Sequence, residues 1–303
     1  MSQLSFFVPA PSDIRAKQVR DLMSRSWFSL SKNRTTMIEH RTEDAFIRVR
    51  PAAGLGVPTI WDQDVLLFGI AKKMQERNQL AKAGEAFNEL DGWVYFRGPD
   101  FWDFTGRRNT ARKNAVGGRE YDLLRDSLRR LAGAMVETSI RAPEQPKRRR
   151  TEEDEYFHWV ERGKARWEDG QHLGYQMKLA DWIMQPIRQN RPDVLSLNPA
   201  YFKLTKGIER WLYLYARRAA GMQEHGWAED AKLIYAKSAI EAPFRSFWHR
   251  TLRLLEANGS KILEYDVTVE QRGRTKALRF TRSPYMPKEL HPVTIEHGPV
   301  GAS

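Results

Sequence analysis

A row of basic side chains follows one face of a predicted helix near the C-terminal end of the chain. In "FRSFWHRTLRLLEANG", Arg245, His249 and Arg253 recur at i, i+4 and i+8, with Arg250 beside them. Arginine can donate two hydrogen bonds to guanine N7 and O6, and basic side chains also bind phosphates. This spacing indicates a helix that contacts DNA, although a solvated helix face shows the same pattern.

An earlier predicted helix, "GREYDLLRDSLRRLAG", carries a matching row; in chain order it is the first of the two, and the C-terminal helix is the second. Arg125 and Arg129 take the places of His249 and Arg253 at an offset of 124 residues, and Arg119 lies near the helix start. Here Asp122 and Asp126 stand beside the arginines. We therefore expect this helix to contact phosphates or a second protomer, and the C-terminal helix to be the main DNA reader.

Each of these helices also has a predicted apolar seam at helical spacing. In the first helix the seam consists of Leu124, Leu128 and Leu131. In the second helix it consists of Phe244, Trp248, Leu252 and Leu255. The pairing of a buried stripe with a cationic stripe in both helices makes the solvated-face explanation weaker than it would be for one helix alone.

Basic residues follow each helix. After the second, "KILEYDVTVEQRGRTKALRFTR" predicts a hairpin whose tip carries Arg272, Arg274 and Lys276. After the first, a strand from Met135 to Ile140 leads into the charged loop "APEQPKRRRTEEDE" with Lys147, Arg148 and Arg149. We expect both segments to be wings that meet DNA phosphates.

The net charge of the 303-residue chain, +12, is concentrated around these elements. Residues 107–150 hold thirteen Lys or Arg against five acidic residues, and residues 245–282 hold nine against four. Such a surplus indicates a polyanionic partner. No apolar run approaches the roughly 20 residues of a membrane-spanning helix, so we expect double-stranded DNA and no membrane contact.

The residues that support catalysis or metal binding do not form recognisable motifs. A GxxxxGK[ST] loop is missing, the seven histidines are scattered, and the chain has no cysteine. Asp62 and Asp64 fit the first turn of a helix better than a metal site. We therefore predict no catalytic residue, no metal and no cofactor.

The elements that position these rows occur twice in the same order. A helix that Thr59 can cap is followed by a strand at Trp93–Phe96, a short helix after Pro99, and the first cationic helix. A helix from about Gly207 to Ala220 precedes the second. Helix, short elements, helix and hairpin match a winged helix, a helix-turn-helix variant whose terminal hairpin is the wing.

The predicted fold class is therefore α+β, with two tandem winged-helix domains that have β-hairpin wings. We expect a partly ordered N-terminal extension at residues 1–56 and an N-terminal winged helix at 57–189 for DNA contact or dimerisation. A C-terminal winged helix at 190–283 follows as the main reader, and residues 284–303 form a flexible tail.

Several stretches resemble the plasmid replication initiator protein A family. They are "PTIWDQDVLLF", "SLRRL" with "VETSI", "LNPAYFKLTKGIERWLYLYARR" and "FRSFWHRTLRLL", and the similarity runs from about Pro58 to Phe280. The resemblance implies a tandem winged-helix initiator that binds origin DNA, often at direct repeats. It also implies recruitment of host replication initiation proteins and helicase, and a homodimer through the N-terminal winged helix.

The expected function is thus plasmid replication initiation without intrinsic catalysis. The sequence leaves open a winged-helix transcriptional regulator, and a nicking or nuclease initiator is a third alternative. The N-terminus does not have the pattern of a secretory signal, so we expect a bacterial cytoplasmic protein associated with plasmid or nucleoid DNA.

Overall fold

The computed structural model describes residues 15–41, 45–107, 118–140, 155–168, 171–190, 193–221 and 223–283. Its helices are α1 (Gln63–Ala83), α2 (Gly98–Phe104), α3 (Gly118–Gly133), α4 (Asp181–Arg188), α5 (Gly207–Ala219), α6 (Ala231–Ser238) and α7 (Phe244–Ala257). Its strands are β1 (Lys17–Val19), β2 (Ile38–Arg41), β3 (Phe46–Arg50), β4 (Trp93–Phe96), β5 (Met135–Thr138), β6 (Glu155–His158), β7 (Val160–Glu168), β8 (Gln171–Leu179), β9 (Val194–Ser196), β10 (Trp227–Asp230), β11 (Lys261–Ile262), β12 (Tyr265–Arg272) and β13 (Thr275–Arg282).

The C-terminal half has winged-helix topology. Helix α5, strand β10, helices α6 and α7 and the β12–β13 hairpin follow one another, and the sheet order is β10-β13-β12-β11. Strand β10 pairs antiparallel with β13 and so adds a third strand to the β12–β13 hairpin. At the hairpin tip Gly273 has φ +58° in the two-residue loop between Arg272 and Thr275, a conformation that favours glycine.

The N-terminal half repeats this topology with different wing strands. Helix α1, strand β4, and helices α2 and α3 precede the β7–β8 hairpin, and the sheet order is β4-β8-β7. Strand β4 pairs with β8 as β10 pairs with β13. The two winged helices and the α+β class are therefore as predicted, and β4 has the predicted bounds.

The prediction of the first wing was wrong. The strand that follows α3, β5, pairs with β3 and β6 in a separate sheet of order β2-β3-β5-β6. Strand β4 pairs with β8, which forms a hairpin with β7. The wing of the first unit is therefore the β7–β8 hairpin. The basic loop with Lys147, Arg148 and Arg149 connects β5 to β6 and lies outside the described residues.

The region predicted as an N-terminal extension contributes to the sheets. Strands β2 and β3 complete the sheet of β5 and β6, and β1 pairs with β9 beyond the first winged helix. Trp27 is fully buried and packs against Trp159 and Trp182, with ring centroids 5.7 Å and 5.2 Å away. Residues 15–41 and 45–56 are thus integral to the core, while the domain boundaries themselves stay a prediction.

The buried seams of α3 and α7 differ in how well the sequence predicted them. Leu124, Leu128 and Leu131 of α3 are buried as expected. In α7 the buried residues are Phe247, Thr251, Leu254 and Leu255, whereas three members of the predicted seam are only half-buried. The true seam is rotated by about 70° from the predicted one at 100° per residue. Thr251 can be buried because its hydroxyl donates to the Phe247 carbonyl oxygen at 2.9 Å.

Candidate nucleic-acid interface

The exposed face of α7 carries the predicted basic row. Arg245, His249, Arg250 and Arg253 are all exposed, and among the described residues none of them forms an ion pair. The opposite face packs against α6, where the Tyr235 ring lies 5.3 Å from that of Phe247. Helix packing therefore presents these four side chains outward, with the arginine charges unneutralised.

The β12–β13 hairpin places further cations beside α7. Lys276 is exposed, and its Nζ lies 5.9 Å from the centroid of the Trp248 ring, a cation–π contact between wing and helix. Arg274, at the hairpin tip, is exposed and has no ion pair in the described part of the chain. Arg272 is exposed but is paired with Glu270 at 3.2 Å, and Arg279 bonds to the same carboxylate. Helix and wing thus form one basic surface, hereafter the α7–wing surface, with Arg274 and Lys276 as its freest wing cations.

The matching row on α3 is neutralised by its own helix. Arg125 pairs with Asp122 at 2.7 Å and Arg129 pairs with Asp126 at 3.6 Å, each at i, i+3. Arg119 at the start of α3 is exposed. Because Arg125 and Arg129 share their charge with acids, α3 presents a weaker positive field than α7.

The first wing carries basic residues that the sequence reasoning missed. Arg162 and Lys164 alternate along β7 opposite Lys178 and Gln176 of β8, and both are exposed. Arg166 continues the same strand face. The signal was present in "ERGKAR", where the basic residues recur with period two. The sequence-based prediction instead places the wing in the loop after Met135–Ile140.

The two winged helices are joined through the first turn of α1. Asp64 accepts from Arg210 of α5 at 2.8 Å and from Arg107 at 2.6 Å. Asp62 binds the Arg130 guanidinium through both carboxylate oxygens, at 2.7 and 2.8 Å. Burial raises the pKa of the Asp64 carboxyl, and the two arginines oppose that rise. These aspartates were predicted to favour the helix start, and the structure adds that they anchor arginines from three other segments.

The described residues meet neither the requirements of a metal site nor those of a membrane-spanning helix. Among them, no group of three or more His, Asp or Glu side chains is placed to hold a metal ion. In the same part of the chain, no helix combines the length and apolar composition needed to cross a bilayer.

Comparison with known proteins places this geometry in a family. The family model described as "Replication initiator protein A" matches residues 17–267. The chain belongs to the replication initiator protein A family. The match covers the N-terminal strands, the first winged helix and the second winged helix as far as the start of β12, and it begins at β1, inside the predicted N-terminal extension.

Individual relatives of this replication initiator family member agree with the assignment. A protein of Wigglesworthia glossinidia brevipalpis named "Putative replication protein" is 27% identical over 239 residues, which cover 78% of this chain and 79% of that one. Two crystal structures of domains 2 and 3 of RctB share the fold. They have TM-scores of 0.56 and 0.51 at 14% identity, and they cover 91% and 87% of this chain and 99% and 96% of theirs. Family membership gives the chain a role in the initiation of replication.

Proposed function

We propose that this initiator binds double-stranded origin DNA sequence-specifically, at repeated sites, with α7 as the main reading helix. The observation that carries the proposal is the α7–wing surface. Four exposed basic side chains on one helix lack ion-pair partners in the described chain, and Lys276 of the wing adjoins Trp248 of the same helix. A helix of this kind enters a major groove while the wing meets the flanking backbone.

The first winged helix has a different part in the proposal. The α3 arginines are paired with acids, whereas Arg162 and Lys164 on β7 are exposed. These features favour phosphate contacts through the first wing over base readout through α3. Dimerisation through the same unit is a further part of the proposal and rests on the family resemblance alone.

Recruitment of host replication initiation proteins and helicase completes the proposed role. In this account the protein has no catalytic step of its own, because it marks the origin and host enzymes open and copy the DNA. The chain acts on plasmid or nucleoid DNA in the bacterial cytoplasm. No metal or cofactor takes part in the proposed binding.

A footprint on the DNA that flanks the gene tests this proposal. We expect protection of repeated sites, with protection lost when the repeats are scrambled at constant composition. Uniform weak protection at all sequences would contradict specific origin binding.

Two further assays distinguish the proposed initiator from a transcriptional regulator and from a nuclease initiator. A plasmid that carries the origin and depends on this gene in trans will replicate if the protein is an initiator, and will be lost if it is solely a transcriptional regulator. Incubation of a supercoiled origin plasmid with the protein and Mg²⁺ leaves the plasmid intact under this proposal, whereas nicked circles would indicate a nuclease initiator.

A further inference from the structure

Residues 26–36, hereafter the strap, contact both winged helices. The Ser26 amide donates to the Lys237 carbonyl oxygen of α6 at 2.9 Å. The Ser29 amide donates to the Pro58 carbonyl oxygen, just before α1, also at 2.9 Å. The strap thus connects the approach to the first unit with the helix-turn-helix of the second.

The single residue Arg34 contacts both units, the first through its backbone and the second through its side chain. Its carbonyl oxygen accepts from the Val57 amide at 3.2 Å and lies 2.6 Å from where a Cβ on Gly56 would sit. Its guanidinium donates to the Ala239 carbonyl oxygen at 2.7 Å and to that of Met37 at 2.6 Å. The backbone of Arg34 is therefore held by the first unit, and its side chain holds the turn between α6 and α7.

The turn between α6 and α7 is held from outside by two contacts with the strap. Ala239 has φ +51°, a left-handed conformation that is unfavourable for a residue with a Cβ. Arg34 bonds to the carbonyl of this same residue, and Thr36 bonds to Glu241 two positions later. Both links come from the strap.

Packing alone does not fix α7 on this side. A cavity of about 520 Å³ separates the strap from the helix, and Arg34, Arg250, Arg253, Phe247 and Leu254 are among its lining residues. This cavity is partly open to solvent, so the strap and α7 do not pack closely against each other there. On this side the strap holds the turn through directional hydrogen bonds, which add to bonds within the turn such as that from the Tyr235 hydroxyl to the Ala242 carbonyl oxygen at 2.9 Å.

We propose that Arg34 is a positioning residue that fixes the orientation of α7 relative to the first winged helix. It does so without touching DNA, since its guanidinium is occupied by backbone carbonyls and by the Glu241 carboxylate at 3.4 Å, and is only 10% exposed. The inference rests on the proposed function, in which α7 reads DNA.

The test compares Arg34→Ala and Arg34→Lys with Arg20→Ala, which changes an exposed arginine N-terminal to the strap that forms a surface ion pair with Asp193. Affinity for an origin site and for random DNA is measured over a series of salt concentrations. We expect both Arg34 variants to lose about tenfold or more in origin affinity, because a displaced reading helix no longer aligns with the base edges. Random-DNA affinity and the slope of log K against log salt stay at the Arg20→Ala values.

Two results would overturn the inference. Unchanged origin affinity in both Arg34 variants excludes a positioning role. Equal weakening on both DNAs, with a slope reduced by about 0.9 in Arg34→Ala, would make Arg34 a phosphate ligand instead.

Arg34→Lys keeps the test decisive if Arg34→Ala unfolds, since lysine preserves charge and length but not the forked donation. In this variant, hydrogen exchange at residues 239–242 should be faster than in wild type, and unchanged exchange there contradicts the inference. If Arg253→Ala also fails to weaken binding, the proposed function itself is wrong. Failure of the Arg34 variants alone concerns only this residue.

Discussion

Asp64 of α1 and Arg210 of α5 form an ion pair of 2.8 Å that is buried on both sides and joins the two winged helices. Arg107 binds the other oxygen of the same carboxylate, and the Arg210 guanidinium also donates to the Leu204 carbonyl oxygen at 2.8 Å. The relative placement of the two units is thus fixed by a charge cluster as well as by apolar packing.

Removal of the Asp64 charge should destabilise the whole protein. In Asp64→Asn the buried Arg210 loses its counter-charge, and loss of one partner of a buried pair costs about 3–5 kcal/mol. The free energy of unfolding from urea denaturation measures this. Asp126→Asn, in the exposed pair with Arg129, is the matched control and should cost less than about 1 kcal/mol. Equal effects of the two substitutions would mean that the buried cluster does not hold the units together.

Glu137 should make the N-terminal sheet sensitive to acid. Hydrogen bonds from Arg50 at 2.6 Å and Arg48 at 2.8 Å hold the pKa of its carboxyl below the ordinary value. Since the folded-state pKa is the lower one, this stabilisation is present above the unfolded-state pKa of about 4.3 and is lost as pH falls through the folded-state pKa. Wild type should therefore lose more stability than Glu137→Gln between neutral pH and pH values below that range. Parallel pH curves of unfolding free energy would contradict this role.

The first wing should contribute charge and little sequence preference. Arg162→Ala combined with Lys164→Ala should reduce the slope of log K against log salt by about 0.9 for each phosphate that the wing no longer neutralises. Origin and random DNA should weaken in parallel, as expected for binding to the DNA backbone. Lys82→Ala, at the exposed end of α1, shows the effect of losing one positive charge away from the wing, against the two that the double variant loses. A loss of affinity confined to the origin site would instead make the first wing a base reader.

Local sequence patterns predicted helices and strands, whereas long-range pairing decided which strands belong to the same sheet. The strand Trp93–Phe96 and the leucine seam of α3 follow from short-range chemistry, whereas the N-cap of α1 is Asp62 and not Thr59. Strand pairing is long-range: β5 and β8 have similar strand patterns, and the partner strands β3 and β4 decide which of them becomes a wing. The N-terminal strands were missed for the same reason.

Sequence patterns indicated the residue types of the candidate interface and the acid pairs of α3, but not which face of α7 is buried. The i, i+3 pairs of Arg125 and Arg129 with their acids could be read from the sequence, and they justified the lower rank of α3. The buried face of α7 could not be read from the sequence, because the polar Thr251 is buried through the hydrogen bond that its hydroxyl donates to the Phe247 carbonyl oxygen. The anchoring of Arg34 and Arg210 joins residues far apart in sequence, and no periodicity reports it.

The central claim is that α7 reads DNA and α3 does not, and one set of binding curves tests it most directly. Arg253→Ala and Arg129→Ala are compared with wild type on an origin repeat and on a scrambled repeat, by fluorescence anisotropy at several salt concentrations. We expect Arg253→Ala to lose about 1–3 kcal/mol on the origin repeat and much less on the scrambled one. Arg129→Ala should weaken both DNAs slightly and equally. Unchanged origin binding in Arg253→Ala, or a larger specific loss in Arg129→Ala, would contradict the account.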